Sequence, residues 1–224
     1  MPKLDEEYIA RMEEGLDILS QPVDERAPLV ALDERPVQSL ASKRPGMPLA
    51  PGRCARQDYE YVRHGTANVF CLVEPNNGRH HTHVTCNRNA PQFARALRRV
   101  ARAYSAARTI HLVMDNLNTH RTKSLTGTFG EREGHRLWAR FTVHYTPKHG
   151  SWLNPAELEA SLWSRQCHGR DRISALDELS RRTRAWNTHA NRSHHGSIGV
   201  SPPPMRAACS VTNEALRLGR STSF

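Results

Sequence analysis

The chain has 224 residues, enough for one sizeable hydrophobic core and a small appendage. It carries 32 Lys and Arg against 22 Asp and Glu, and the formal net charge of +10 favours a polyanionic partner such as nucleic acid. A soluble protein with a basic surface is the alternative that charge alone leaves open. No apolar run is long enough to span a bilayer, and the first residues are acidic rather than typical of a signal peptide, so we expect a cytoplasmic protein with no membrane partner. The five cysteines are scattered without a CxxC pair, so we expect free thiols, mainly in the core.

The first half of the chain predicts one amphipathic helix followed by three strands. Residues 1–22 place apolar side chains at helical spacing and end on a proline. "APLVALDERPVQSL" predicts a short strand that reaches Asp33 and Glu34 and resumes after Pro36. Residues 43–56 are rich in Pro, Gly and Arg and predict an exposed basic loop. "ANVFCLVEP" and "HHTHVTC" predict two adjacent strands joined by an "NNG" turn.

The second half alternates helices and strands. "APQFARALRRVARAY" predicts a helix with an apolar stripe and an arginine face, and "TIHLVMD" predicts a buried strand. A charged, helix-prone stretch runs to Trp138, and "RFTVHYTP" predicts another strand. "NPAELEASLWSRQC" predicts a helix capped by Asn154, and a last helix is expected over Ala175–Asn187. This order predicts an α/β fold with a mixed five-stranded sheet flanked by helices, antiparallel at the hairpin and parallel at the crossovers.

Three acidic residues fall at the ends of these elements. Asp33 closes the first strand, Asp115 closes the fourth, and Glu157 lies in the first turn of the helix after the fifth. Sites in open α/β sheets gather at the carboxyl ends of parallel strands, so neighbouring strands would bring the three together. Bare carboxylates in one place repel one another unless a hard cation neutralises them. The pattern therefore indicates a site for two Mg²⁺ or Mn²⁺ ions that act on a phosphodiester.

Taken singly, each of these acids has a simpler reading. An aspartate at a strand end is commonly a helix cap or a turn former. Glu34 follows Asp33 directly and Glu159 lies two residues after Glu157, so chemistry alone leaves the choice of acid open.

Four stretches of sequence carry a family resemblance. They are "LDE" at Asp33, "DYEYVRHGTANVF", "LVMDNLNTH" and "HYTPKHGSWLNPAELEASLWSRQC". Together they resemble the transposases of bacterial insertion sequences, specifically the insertion sequence six-thirty family of the mariner superfamily, from the start of the chain to about Asn191. The resemblance implies an RNase H-like core with a DDE triad, in which Asp33, Asp115 and Glu157 are catalytic and bind the metal. Glu34 and Glu159 would then support the site from behind or lie at the surface.

The resemblance also implies the activity. It predicts a transposase catalytic domain that cleaves DNA strands at transposon ends and transfers them into target DNA, with two Mg²⁺ (or Mn²⁺) ions as cofactor. The expected partners are the transposon ends and the target DNA, with the enzyme acting as a homodimer on DNA. Two alternatives stay open: a stand-alone RNase H-like nuclease, and a catalytically inactive DNA-binding remnant of a transposase.

Candidate DNA contacts flank the acids. They are Asn116 and His120 after Asp115, Lys148, His149 and Trp152 in the loop before Glu157, and Lys43, Arg44 and Arg53 in the basic loop. Trp152 would stack on an unpaired base or simply pin its loop to the core. Asn118 and Thr119 have an alternative role as caps of the next helix.

Two further basic features have simpler explanations. The arginines of the "FARALRRVARAY" helix either follow DNA phosphates or form a solvated helix face. Three histidines, His80, His81 and His83, suggest zinc, but alternate strand positions face opposite ways and no Cys or acidic partner lies at ligand spacing. We therefore do not expect a zinc site there.

The chain departs from the family at both ends. Residues 1–22 form a helix that leads into an RNase H-like domain at 23–191, and we expect no helix-turn-helix region before it. After "AWNTHANR" the family continues with a motif like "DWRFTTADAR", whereas this chain reads "SIGVSPPPMRAAC". Suitable codons for residues 198–207, read one base out of phase, can spell much of that motif. We therefore expect residues 192–224 to be a disordered tail produced by a frameshift between roughly Asn191 and Ser197.

Overall fold

The computed structural model describes residues 5–193 except 57, 149 and 170. The helices are α1 (Glu6–Leu19), α2 (Ala90–Ala103), α3 (Thr122–Phe129), α4 (Glu131–Trp138), α5 (Ala156–Trp163) and α6 (Leu176–Ser193). The strands are β1 (Leu29–Ser42), β2 (Tyr61–Glu74), β3 (Arg79–His80), β4 (His83–Thr85), β5 (Ile110–Met114) and β6 (Phe141–Tyr145). A 3₁₀ turn (Ser151–Leu153) precedes α5, and a π-helical turn (Ser164–His168) follows it.

The strands form one mixed sheet in the order β3-β2-β1-β5-β6, with β4 also paired to β2. β1 and β2 are antiparallel, whereas β5 runs parallel to both β1 and β6. The predicted mixed α/β class is confirmed, but the sheet has six strands rather than five. The second strand of the predicted hairpin is split, because buried Thr82 turns its hydroxyl group to Glu159 in α5 between the two short strands.

Strand β1 is longer than predicted and continues through Pro36, which pairs with Asn68 of β2. Proline removes a backbone donor and is tolerated on a strand whose other edge is unpaired. Pairing with β5 covers only Leu29–Ala31, so β1 has such an edge beyond that point. Asp33 therefore lies within a continuous strand, where β5 has already left it.

Helices cover both faces of the sheet. The apolar side chains of β1 alternate between the two faces and pack against helices on each. Val30 and Leu32 face the larger core, which also contains buried side chains of α2, α3 and α4. Leu29 and Ala31 face the opposite way, into a cluster with Ile18 of α1 and Ala156 of α5. A third cluster packs α5 and α6 against the distal parts of β1 and β2. The start of α5 therefore lies over β1 on the face opposite α2.

The helices begin and end partly where the sequence predicted and partly elsewhere. Asp5 caps α1 and Asn89 caps α2 through side-chain oxygens that accept backbone N–H groups. The predicted cap at Asn118 or Thr119 was wrong, since α3 begins after Arg121, which makes no side-chain capping bond. The last helix continues to Ser193, beyond the predicted end at Asn187.

Of the four cysteines that the structure describes, Cys71 is buried, Cys167 is half-buried, and Cys54 and Cys86 are exposed. The expectation that most would lie in the core was wrong for these four, since only Cys71 lies on a central strand. All four are free thiols. Within the described part of the chain, none of the helices has the length and apolar character needed to cross a membrane. The predicted tail lies outside the described residues apart from its first two, which belong to α6.

Candidate active site

Two of the predicted acids lie where the parallel pairing of β1 with β5 ends. The register pairs Ala31 of β1 with Val113 of β5; two residues further along, Asp33 lies within β1 and Asp115 lies just after β5. Side chains of a strand repeat their facing every second residue, so Asp33 is directed to the face on which Ala31 and Val113 pack together. The predicted neighbourhood of the two strands is confirmed.

The third acid is carried by the helix that packs on this same face. Ala156 in the first turn of α5 belongs to the cluster of Ala31 and Val113. Asn154 fixes that turn, because its Nδ2 donates to the carbonyl of Leu32 at 2.8 Å and its Oδ1 accepts from the backbone N–H of Ala156 at 3.1 Å. Helix α5 begins at Ala156 with Pro155 at its N-cap, so Asn154 does not occupy the predicted cap position, although it accepts from the first N–H of the helix. Glu157 follows in this turn, and its side chain is exposed.

Asp33 responds to the charges of the other two acids. Burial is the largest of the influences that together raise the pKa of its carboxyl group to about 6. The backbone N–H of Glu34, which donates to Asp33 Oδ1 at 2.7 Å, acts in the opposite direction. The negative charges of Asp115, Glu34 and Glu157 contribute to the rise. Asp115 and Glu157 are therefore close enough for their charges to act on Asp33.

His120 lies behind Asp115 and contacts two carboxylates. Its Nδ1 faces the carbonyl oxygen of Asp115 at 3.1 Å and lies 2.7 Å from Asp115 Oδ1. Its Nε2 lies 2.8 Å from Glu34 Oε1. Burial opposes a charge on the imidazole, but the hydrogen bonds to Asp115 and Glu34 outweigh it and raise the pKa of His120 to about 9. Both ring nitrogens face oxygen acceptors, which favours the doubly protonated imidazolium.

The burial of His120 contradicts its predicted DNA contact. Its side chain is 1% exposed and stacks on Phe93 with ring centroids 4.6 Å apart, so it does not reach a phosphate at the surface. Sequence reasoning also missed its link to Glu34, whose side chain is 2% exposed. The signal was weak, because the two residues lie 86 positions apart and neither has a local pattern that indicates its partner.

The alternative third acid, Glu159, has other partners. It is fully buried, and its two oxygens lie 2.8 Å from His80 Nδ1 and 2.8 Å from Thr82 Oγ1. Glu157 is exposed and acts on Asp33, whereas Glu159 ties α5 to the short edge strands. The expectation that Glu34 and Glu159 lie at the surface was therefore wrong, since both side chains are buried.

The loop before α5 presents exposed groups beside Glu157. Lys148 is exposed, and Trp152 is 63% exposed, so Trp152 does not pin the loop to the core. Gly150 is held against Pro147, where an added Cβ would come within 2.6 Å of the proline ring. Asn116, which follows Asp115 in the chain, is exposed, while His149 lies outside the described residues.

The basic loop is exposed from Lys43 to Arg56, as predicted. Two of its cations have acidic neighbours, since Lys43 Nζ lies 3.4 Å from Glu60 and Arg44 lies within 3.9 Å of Asp58 and 3.8 Å of Glu60. Arg53 is exposed and lies in a short bridge of the loop, paired with Ala50. The loop therefore offers a solvent-facing cationic surface that is partly neutralised at its base.

The arginines of α2 and the three clustered histidines have different surroundings. Arg98 of α2 lies over the ring of Phe129 at 4.3 Å, while Arg95, Arg99 and Arg102 are exposed. His81 Nε2 lies 2.8 Å from the hydroxyl of Tyr104, and His83 stacks on Phe70. With His80 held by Glu159, each of the three histidines has a protein partner of its own.

The three acids have the donor chemistry of a metal site but not its finished geometry. In the described ranges, no three His, Cys, Asp or Glu side chains are arranged so that they could hold an ion as they stand. The donor chemistry of the three acids nevertheless suits a hard divalent cation, since all are carboxylates, Glu157 is exposed and Asp115 is 37% exposed. A cation would also relieve the repulsion that raises the pKa of Asp33.

Comparison with known proteins gives a family and a fold. Residues 28–180 match the family model described as DDE superfamily endonuclease. Among the similar solved structures are a Mos1 transposase paired-end complex with the left transposon end (15% identity, TM-score 0.52), a pre-cleavage Mos1 transpososome (16%, 0.52) and a Mos1 strand transfer complex (16%, 0.51). Each alignment covers 87% of this chain but only 59–60% of the Mos1 chain.

At this level of identity the likeness shows the fold alone, which confirms the predicted RNase H-like architecture. No curated protein matches the sequence. The finer attribution to the insertion sequence six-thirty family stays a prediction.

Proposed function

Because the chain belongs to the DDE superfamily endonuclease family, we propose that it is a transposase catalytic domain that cleaves DNA at the ends of a mobile element and joins them to target DNA. The observation that carries the proposal is the effect of two of the predicted carboxylates on the third. The charges of Asp115 and Glu157 both act on Asp33 at the end of the parallel strands. The Mos1 structures of similar fold are transposase–DNA complexes by name, which supports DNA as the partner.

Asp33, Asp115 and Glu157 are the residues that would hold Mg²⁺ or Mn²⁺, and two ions are proposed. A divalent cation at carboxylates of this kind supplies charge stabilisation to the reacting phosphate and lowers the pKa of bound water. The acids come from a strand, from a strand end and from a helix that Asn154 fixes to β1. Their contribution is therefore to fix the oxygen ligands in space before DNA binds.

The proposed chemistry needs no covalent protein–DNA intermediate. In the first step the oxygen of water bonds to phosphorus and the bond from phosphorus to the 3′-oxygen breaks. The proton that the water gives up balances the one that the leaving oxygen takes up as a 3′-hydroxyl. In the second step this hydroxyl attacks a phosphodiester of the target, and its proton balances the one taken up by the target strand's leaving oxygen.

Exposed side chains around the acids are the proposed DNA contacts. Lys148 and Trp152 flank Glu157, Asn116 flanks Asp115, and the basic loop adds further cations. Cations and amides of this kind position a phosphate backbone, whereas an exposed indole stacks on a base. We propose that the protein acts as a homodimer on DNA.

The test is Mg²⁺-dependent nicking of supercoiled plasmid DNA by the wild-type chain and by Asp115→Asn. We expect nicking by the wild type and a loss of at least 100-fold in the variant, because asparagine keeps the shape but loses the charge that a cation requires. Equal activity of the two proteins would remove Asp115 from the mechanism. Labelled duplexes that carry the ends of the mobile element then separate two activities: joined products identify a transposase, and cut products alone a nuclease. A protein that binds DNA without cutting it would be an inactive remnant.

A further inference from the structure

The imidazole of His120 is enclosed by protein groups. One ring nitrogen faces Asp115, the other faces Glu34, and Phe93 covers the ring plane. The backbone carbonyl of His120 accepts a hydrogen bond from the hydroxyl of Tyr145 at 2.7 Å, which fixes the residue from a second side. With 1% of its side chain exposed, His120 acts only on its protein neighbours.

A purely structural role would not require this chemistry. Burying an imidazole between two carboxylates costs desolvation that an apolar side chain of similar size avoids. His120 contacts one side of the Asp115 carboxylate: Oδ1 is buried and lies 2.7 Å from His120 Nδ1 as an ion pair without hydrogen-bond geometry, while the side chain as a whole remains 37% exposed. The solvent-exposed part of the carboxylate therefore belongs to its remaining atoms, where a ligand can approach.

Glu34 connects two of the acids. Its backbone N–H donates to Asp33 Oδ1 at 2.7 Å, and its side chain reaches Asp115 through His120. A displacement of Glu34 would therefore move both acids, which otherwise lie on separate strands.

We propose that Glu34 and His120 are positioning residues that fix the carboxylate of Asp115, and through it the geometry in which Asp33 and Asp115 receive a divalent cation. This inference rests on the proposed function. Groups that orient a metal-binding side chain typically alter metal affinity 10- to 100-fold when they are removed. The role differs from DNA binding, because neither side chain reaches the surface.

The experiment measures Mn²⁺ binding by the electron paramagnetic resonance signal of the free ion, with circular dichroism as the check of folding. The variants are Glu34→Gln, His120→Phe and His120→Asn. Phenylalanine keeps the packing on Phe93 but provides no donor, whereas asparagine keeps a donor near Asp115 but does not reach Glu34. The matched control is Glu14→Gln, which removes the exposed partner of another histidine, His144.

We expect Glu34→Gln and His120→Phe to weaken Mn²⁺ binding about 10- to 100-fold. We also expect both to lower kcat for plasmid nicking while the KM for DNA stays unchanged. His120→Asn should recover part of the Mn²⁺ affinity, and Glu14→Gln should match the wild type. A folded His120→Phe or His120→Asn that binds Mn²⁺ as tightly as the wild type overturns the inference, even if Glu34→Gln does not fold.

The two proposals fail in distinguishable ways. A wild type that neither binds Mn²⁺ nor nicks DNA overturns the proposed function, and the positioning role with it. A wild type that does both, alongside folded variants with the same affinity and kcat, overturns the positioning role alone.

Discussion

Trp152 projects from the 3₁₀ turn before α5, next to the exposed Glu157, and 63% of its surface is exposed. An indole that contributes so little to the core is available to stack on a base. We expect Trp152→Ala to weaken binding of a fluorescent DNA with single-stranded ends by about 5- to 160-fold, the equivalent of about 1–3 kcal/mol for one stacked base. The free energy of unfolding should change by less than about 0.5 kcal/mol.

Trp152→Phe is the control, because phenylalanine retains an aromatic face and should recover most of the DNA affinity measured by fluorescence anisotropy. A large drop in melting temperature with unchanged DNA affinity would assign Trp152 to the structure of the loop instead.

Asn154 is the residue on which the position of α5 depends. It is 3% exposed and bonds both the carbonyl of Leu32 and the N–H of Ala156. Asn154→Ala leaves both groups buried without these partners, so we expect urea denaturation to show a loss of about 1–3 kcal/mol in the free energy of unfolding. Plasmid nicking should fall as well, since Glu157 moves with the helix.

Asn76→Ala is the matched control for Asn154. Its side-chain amide also donates to a backbone carbonyl, that of Gln21 at 3.2 Å, but at an exposed position. We expect it to change the free energy of unfolding by less than about 0.5 kcal/mol. Equal effects of the two substitutions would contradict the role given to Asn154.

At the scale of the elements, the sequence predicted what periodicity and end signals encode. The apolar stripe of α2, the buried run of β5 and the turn before β3 all follow from local patterns. The nearness of Asp33 and Asp115 depends on the strand order, in which β1 and β5 do pair in parallel, while the catalytic roles of these two residues and of Glu157 stay predictions.

Local sequence patterns did not predict the contacts between distant parts of the chain. The break between β3 and β4 depends on Glu159, which lies 77 residues from Thr82. The pairing of Glu34 with His120 joins strand β1 to the segment between β5 and α3 in the same way. Nothing in the neighbourhood of either residue specifies its partner, because the tertiary fold alone brings them together.

Strand β4 gives the fold a sensitivity to acid. Burial and the charge of Arg99 lower the pKa of His83 to about 4, although its contact with the carbonyl of His81 acts in the opposite direction. In the unfolded chain this histidine titrates near its ordinary value of about 6.5. The unfolded state therefore binds more protons between these values, and stability is complete above pH 6.5 and falls as the pH decreases toward 4.

We expect the titration of His83 to lower the free energy of unfolding by up to about 2 kcal/mol as the pH falls from 7 to 5. Urea denaturation at each pH measures this change. His83→Gln removes this titration and should flatten the profile. His81, whose pKa is also lowered to about 4, should preserve a residual slope of the same sign. His135→Gln is the control, since His135 is exposed on α4, and an effect equal to that of His83→Gln would refute the explanation.

At the scale of the whole molecule, the net charge of +10 predicts that DNA binding weakens with salt. The basic loop provides exposed cations, but Lys43 and Arg44 lie near Glu60, so DNA must compete for them. Each cation that contacts a phosphate adds about 0.9 to the slope of log affinity against log salt concentration. Replacing Lys43, Arg44 and Arg53 together by alanine should therefore lower the magnitude of that slope by up to about 3.

The matched control removes three positive charges from another surface of the protein. Arg95, Arg99 and Arg102 lie exposed on α2, which covers the face of the sheet opposite α5 and Glu157. A triple alanine variant of these arginines loses three charges, as the loop variant does, but leaves the loop intact. If general attraction between a cationic protein and DNA dominates, both variants lower the slope equally, and the loop has no special role. If the loop follows the DNA backbone beside the acids, its variant alone shows the larger decrease in fluorescence anisotropy titrations from 50 to 200 mM salt, the range over which phosphate contacts dominate affinity.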